Sequence, residues 1–154
     1  MSTTRTASAT AVTGKTAQPV LTTRLFRGIL GGLAGGMVFG MMMQMMGAIP
    51  TIAKLVGSDS VAVGWLVHLA ISAVLGFGFG LVVGTRLTSI RVSLGLGAVY
   101  GMVWWVLGAL IAMPLALGMP VFALTTMAWM SLMGHMVYGA VLGLVAYLVG
   151  HRRS

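Results

Sequence analysis

The sequence predicts an all-α, polytopic membrane protein with four transmembrane helices, arranged as two parallel two-helix repeats. Of its 154 residues, 58% are hydrophobic and only 6% are charged, whereas soluble domains carry about 25% charged residues. Four apolar stretches are long enough to cross a bilayer, and the second half of the chain repeats the glycine, histidine and proline pattern of the first. A chain of this length predicts one structural unit.

The four predicted spans are free of Asp, Glu, Lys and Arg, and each exceeds the roughly 20 residues that a transmembrane helix needs. A membrane-spanning β-strand would alternate polar and apolar residues, and these stretches do not alternate. The sequence therefore predicts helices at residues 28–50, 61–84, 93–117 and 124–150.

The charged residues sort to alternate connections. Lys54 and the only acidic residue, Asp59, lie between the first two spans. The other ends of the spans carry arginines: Arg24, Arg27, Arg86, Arg91, Arg152 and Arg153. The sequence thus predicts a multi-pass protein of the cell (inner) membrane. By the positive-inside rule, both of its termini face the cytoplasm. The net charge of +8 reflects topology, and without a basic patch interleaved with aromatics we expect no nucleic-acid partner.

Residues 1–23 are rich in Ser, Thr and Ala and show no apolar period. Such composition predicts a disordered cytoplasmic tail. The transmembrane domain is then residues 24–154. The chain contains no cysteine, which excludes disulfides, thiolate metal sites and covalently attached haem.

The internal repeat relates residues 28–84 to residues 93–150. Gly36–Gly40 (GMVFG) matches Gly97–Gly101 (GAVYG), and His68 and His135 open matching segments with a glycine eight residues on. Because each repeat holds two helices, both repeats have the same orientation. The sequence therefore predicts a pseudo-twofold axis along the membrane normal.

Glycines spaced by four residues recur in all four spans. In lipid, helices associate by close van der Waals approach, which such stripes permit. The predicted packing positions are Gly32, Gly36, Gly40, Gly76, Gly80, Gly84, Gly97, Gly101, Gly139 and Gly143.

Two histidines are the main candidates for a functional site. His68 and His135 are the only side chains within the spans that titrate near neutral pH, and such groups usually face the interior of a bundle. Their equivalent positions predict that they meet and hold a ligand or metal, with haem b or copper as the candidate groups. A hydrogen bond at a tight helix crossing, or a proton or ion path, are the alternatives. Ser72 shares the face of His68.

Six of the ten residues from Met37 to Met46 are methionine. We interpret them mainly as flexible packing residues, with a soft Cu(I) site or an adaptable binding surface as alternatives. Gln44 is expected to hydrogen-bond to a neighbouring helix. Met45, Met46 and Met113 should lie at the depth of the histidines and support their site.

Catalysis is not expected. Ser131 and His135 are four residues apart, but Asp59 is the only acid and cannot serve a paired-carboxylate mechanism. The sequence also lacks a GxSxG elbow. We therefore expect that the protein is not an enzyme.

The pattern GHMVYGAVLGLV, which follows a Gly- and Met-rich helix ending in proline, resembles small four-helix membrane proteins of unknown function in bacteria and archaea. The resemblance covers about residues 28–150 and implies a topology without an activity.

Two functions fit these observations. The first is a non-enzymatic bundle in the lipid bilayer that binds or conducts a small ligand, haem or metal through paired histidines. The second is a structural subunit or assembly factor of a larger membrane complex, with partner helices recruited by glycine faces. A homo-oligomer is compatible with both.

Overall fold

The computed structural model describes residues 20–151, and within this range every regular element is helical. The helices are α1 (Leu21–Met45), α2 (Ile49–Ala53), α3 (Val61–Val82), α4 (Ile90–Trp104), α5 (Met113–Ala116) and α6 (Thr126–His151). A short 3₁₀ turn, Lys54–Val56, follows α2. A π-helical stretch, Trp105–Ala112, joins α4 to α5 and is called the π segment below.

Four helical stretches are long and apolar enough to cross a membrane: Leu21–Met45, Val61–Val82, Ile90–Ala116 and Thr126–His151. The third consists of α4, the π segment and α5 in direct succession. The predicted all-α class with four membrane-length helices is therefore confirmed.

The first span differs most from its predicted limits. Residues 21–23 of the predicted tail belong to α1 and Val20 directly precedes it, whereas residues 1–19 lie outside the described residues. At its other end α1 stops at Met45, because Gly47 adopts a left-handed backbone conformation with φ of 68°. Glycine takes this conformation without the steric cost that a Cβ would bring. Pro50, which we expected at the end of the first span, lies in the first turn of α2.

Helix α1 packs against two neighbours, α3 and α6, through two rows of glycines. Gly28 and Gly32 lie against the α3 backbone, where a Cβ would collide with the carbonyl oxygens of Gly76 and Ser72. Gly31 lies in the same way against Leu142 of α6. Backbone contact on two faces makes α1 one of the two inner helices of the bundle, and α6, which contacts α1 and α4, is the other.

Helix α4 has only one such face. Gly97 and Gly101 lie against the α6 backbone, and α4 and α6 form a close pair. Toward α3, α4 presents aromatic rings, and these two helices are not among the closely packed pairs of the described chain. The hydroxyl of Tyr100 spans the gap by donating a 2.7 Å hydrogen bond to the carbonyl oxygen of Leu75. Large side chains thus hold α3 and α4 apart, whereas glycines bring α1 and α6 together.

The charged residues of the described chain lie at opposite ends of this bundle. Arg24 begins α1 and donates a 2.6 Å hydrogen bond to the carbonyl oxygen of Leu81 at the end of α3. At the far end, Lys54 and Asp59 form an exposed ion pair 4.0 Å apart. We call the Lys54 end the outer end of the bundle.

Candidate ligand cavity

The space between α3 and the π segment is a cavity of about 400 Å³. Helix α3 contributes His68, Ile71, Ser72 and Leu75 to its wall, and α6 contributes Ser131, His135 and Tyr138. Phe39 and Met43 of α1 form its floor. We call it the histidine cavity. Its walls are largely apolar, with a few polar groups, which is the usual character of a small-molecule site.

The ring of His68 is hydrogen-bonded to helix α1. Its Nε2 lies 2.9 Å from the carbonyl oxygen of Gly36 on α1. Because a carbonyl oxygen can only accept, this ring nitrogen carries the hydrogen and donates it. His68 is 7% exposed, so this hydrogen bond lies within the helix interface. One of the three roles considered for this residue, a hydrogen bond at a tight helix crossing, is therefore present.

His135 is held within its own helix. Its Nδ1 lies 2.8 Å from the carbonyl oxygen of Ser131, one turn earlier, and therefore also carries a hydrogen. In the neutral ring the Nε2 of His135 then retains its lone pair. Within residues 20–151, no protein group donates to this nitrogen. His135 thus offers the cavity a hydrogen-bond acceptor.

Phe39 contacts both histidines. Its ring centroid lies 5.6 Å from that of His68 and 4.8 Å from that of His135, each with edge-on geometry. The structure therefore brings the two histidines to one cavity, with an apolar ring in contact with each. A haem or metal held by both together stays a prediction. Among residues 20–151 no group of three metal-ligating His, Asp or Glu side chains occurs.

The Ser131–His135 pair is not arranged for nucleophilic catalysis. The Ser131 hydroxyl lies 3.3 Å from the Nδ1 of His135, but this nitrogen already carries a hydrogen and cannot take a proton from the hydroxyl. A general base needs an available lone pair on the atom facing the nucleophile. The only acid, Asp59, is at the outer end with Lys54.

The other predicted site residues separate into two groups. Ser72 lines the histidine cavity, and its hydroxyl donates to the carbonyl oxygen of His68 at 2.7 Å. Met113 lines it as well. Gln44 instead accepts a 3.1 Å hydrogen bond from the indole of Trp65, which is the predicted bond to a neighbouring helix. Met45 is 89% exposed and lies away from the cavity.

Several cavity residues were missed by the sequence analysis. Phe39 and Met43 follow Gly35 at intervals of four residues and so share its face of α1. Gly35 lies against Tyr138 of α6, and the Tyr138 hydroxyl donates a 3.0 Å hydrogen bond to the carbonyl oxygen of Ser72. A second glycine row, Gly31 and Gly35, was the signal that could have identified this inward face.

The fold and cavity define a small, all-α protein with the helices of a multi-pass membrane protein and an internal, histidine-lined cavity. A family model matches residues 4–154, and the chain belongs to that family, DUF6789, a family of unknown function. Neither a curated protein nor a solved structure matches the chain.

Proposed function

We propose that this protein is a non-enzymatic protein of the cell membrane that binds a small apolar ligand in the histidine cavity. The ligand would enter from the bilayer between α3 and α4 and donate one hydrogen bond to the Nε2 of His135. The observation that carries the proposal is a largely apolar cavity whose wall includes a ring nitrogen with no protein donor. Burial of an apolar body, with one polar group fixing its orientation, is the usual basis of such binding.

The route through the lipid is supported by the unequal packing of the helices. Helices α3, α1, α6 and α4 pack in that order, and the α3–α4 side is the one without close backbone contact. Ile71, which lines the cavity on this side, is 41% exposed. An apolar molecule dissolved in the bilayer would therefore meet this opening directly.

The repeat symmetry that we infer from the sequence is supported by matching helix contacts. In each hairpin the first helix meets the second at positions that the sequence repeat equates. In the first hairpin the contacts are Gly32 with Gly76, Gly36 with Ser72, and Gly40 with His68. The corresponding contacts in the second hairpin are Ser93 with Gly143, Gly97 with Gly139, and Gly101 with His135. The α3–α4 opening breaks this symmetry, because α4 has Val92 and Leu96 where α1 has Gly31 and Gly35.

The ligand proposal is tested with a matched pair of probes, 1-naphthol and 1-methoxynaphthalene, which differ in hydrogen-bond donation. We expect 1-naphthol to bind about 3- to 10-fold more tightly, since one hydrogen bond contributes roughly 1 kcal/mol. His135→Ala should abolish this preference, whereas the exposed His151→Ala should retain it. Binding is measured by tryptophan quenching on purified protein in mild detergent. Equal affinities in the wild type, or an unchanged preference in His135→Ala, would contradict the proposal.

We propose that both termini face the cytoplasm, as the arginine distribution indicates. The absence of cysteine allows single cysteines to report orientation. Ser60→Cys and Thr85→Cys introduce thiols at exposed positions beyond opposite ends of α3. In intact cells, a membrane-impermeant maleimide should label Ser60→Cys alone, and both variants should react after lysis. Labelling of Thr85→Cys alone would reverse the orientation.

A structural or assembly role in a larger membrane complex is the second proposal from the sequence. It rested on glycine faces that would recruit partner helices. The stripe Gly32, Gly36 and Gly40 packs against α3 inside this chain, as does the corresponding stripe of α4 against α6. Partner recruitment would therefore need another surface, and for this reason we place the ligand-binding role first.

A further inference from the structure

A second cavity, of about 330 Å³, lies at the outer end of the bundle between the end of α1 and the start of α6. Its wall is rich in sulfur, because five of its lining residues are methionines: Met43, Met46, Met113, Met119 and Met127. We call it the methionine cavity. It shares Met43 and Met113 with the histidine cavity, so the two spaces adjoin.

These methionines come from separate parts of the chain. Met43 lies in the last turn of α1, and Met46 directly follows that helix. Met113 comes from α5, Met119 from the loop that follows and Met127 from α6. The sequence cluster at residues 37–46 therefore supplies only two of the five, and folding brings the other three to the same place. The convergence is independent of local sequence composition.

The exposure of the side chains decreases along the cavity. Met119 and Met127 are 54% and 50% exposed, whereas Met43 is 9% exposed. Methionine side chains thus line both the exposed and the buried parts of the wall.

The residue types that line the methionine cavity differ from those that line the histidine cavity. The methionine cavity is lined by two leucines and by no valine or isoleucine, whereas the histidine cavity has Ile52, Leu55, Ile71 and Leu75 in its wall. Branched aliphatic side chains fill space with fewer rotatable bonds than methionine does. The polar side chains at the methionine cavity are hydroxyls, and no carboxylate lines it.

We propose that the methionine cavity binds a soft monovalent metal ion of the Cu(I) class through thioether sulfur atoms. Thioethers are soft ligands and select Cu(I) over harder divalent ions. The absence of carboxylates from the wall leaves Mg²⁺ and Ca²⁺ without their preferred oxygen ligands. The only charged groups at the outer end of the described chain are Lys54 and Asp59, which pair with each other, so no net positive charge opposes entry of a cation there.

The test uses Ag(I), a redox-stable ion of the same charge and softness, in chloride-free buffer with the full chain in mild detergent. We expect the wild type to retain one Ag(I) per chain after gel filtration and to retain no Zn(II). The variant Met43→Leu/Met113→Leu nearly conserves side-chain volume and should bind Ag(I) at least 10-fold more weakly. The control Met41→Leu/Met45→Leu removes two methionines that are 50% and 89% exposed and should bind as the wild type does.

Three results would overturn the proposal. One is a wild type that retains no Ag(I), and another is an equal loss in the cavity and control variants. The third is binding that survives Met43→Leu/Met113→Leu and disappears in His135→Ala, which would place the ion on the histidine. None of these results bears on the preference for 1-naphthol, so the two proposals fail separately.

Discussion

Gly97→Ala is expected to destabilise the bundle by about 3 kcal/mol, at the upper end of the range for overpacked interiors. A Cβ at this position would collide with the carbonyl oxygen of Gly139, and Gly139 meets Gly97 in the same way. A backbone atom cannot rotate aside as a side chain can. The α4–α6 pair would therefore have to separate, which also loosens the neighbouring contacts between Gly101 and His135 and between Ser93 and Gly143.

The matched control is Gly95→Ala, two residues earlier on the same helix. A Cβ there meets no atom within 4 Å. Alanine has a higher helix propensity than glycine by about 1 kcal/mol, so this variant should be as stable as the wild type or more stable. Unfolding by SDS in mixed micelles, followed by near-UV circular dichroism, measures both. Equal stability of the two variants would show that α4 and α6 are not in backbone contact.

The spans and the glycine positions could be predicted from the sequence because both follow from local regularities. Apolar length specifies a membrane helix, and a glycine interval of four residues specifies one face. Gly97 and Gly139 were both predicted as packing positions, but the contact between their backbones could be identified only from the fold. The end of α1 could not be predicted, because it depends on the positive φ of Gly47 within a run that remains apolar to Pro50.

The candidate site was predictable only in part. The pairing of His68 and His135 in one cavity agrees with the sequence repeat, but the hydrogen bonds that fix their rings go to backbone carbonyls, which leave no trace in the side-chain pattern. The sequence also did not reveal which face of α1 points into the bundle. Once Gly31 and Gly35 face α6, Met43 turns inward and Met45 outward, the reverse of the predicted role for Met45.

The methionine cavity could not be predicted from the sequence either, because its residues are far apart along the chain. The methionine cluster at residues 37–46 indicates a site on α1, but most of these methionines face outward or pack among helices. Met113, Met119 and Met127 are too far from that cluster in sequence to be connected with it. Their convergence on Met43 depends on the turn after α5 and on the start of α6, neither of which has a regular sequence pattern.

Phe39→Ala is expected to have the second largest effect on stability, about 2 kcal/mol. Phe39 is 6% exposed, and its ring occupies the space left by Gly134 of α6, where a Cβ would collide with it. In a micelle the apolar side chains of the unfolded chain remain in detergent, so the free energy of transferring the phenyl ring out of water contributes little. The cost of the cavity that the ring leaves behind remains. Removing roughly 100 Å³ at ~24 cal/mol per Å³ gives this value.

The control for this variant is Phe77→Ala on α3. Phe77 is 44% exposed and lines neither the histidine cavity nor the methionine cavity, so detergent fills the space it leaves and stability should change by less than about 0.5 kcal/mol. Because Phe39 lines both cavities, its removal should also join them and admit probes larger than 1-naphthol. Denaturation in SDS measures the first effect, and binding of 1-pyrenol measures the second. If Phe39→Ala lost no more stability than Phe77→Ala and still excluded 1-pyrenol, Phe39 would not be the ring that separates the two spaces.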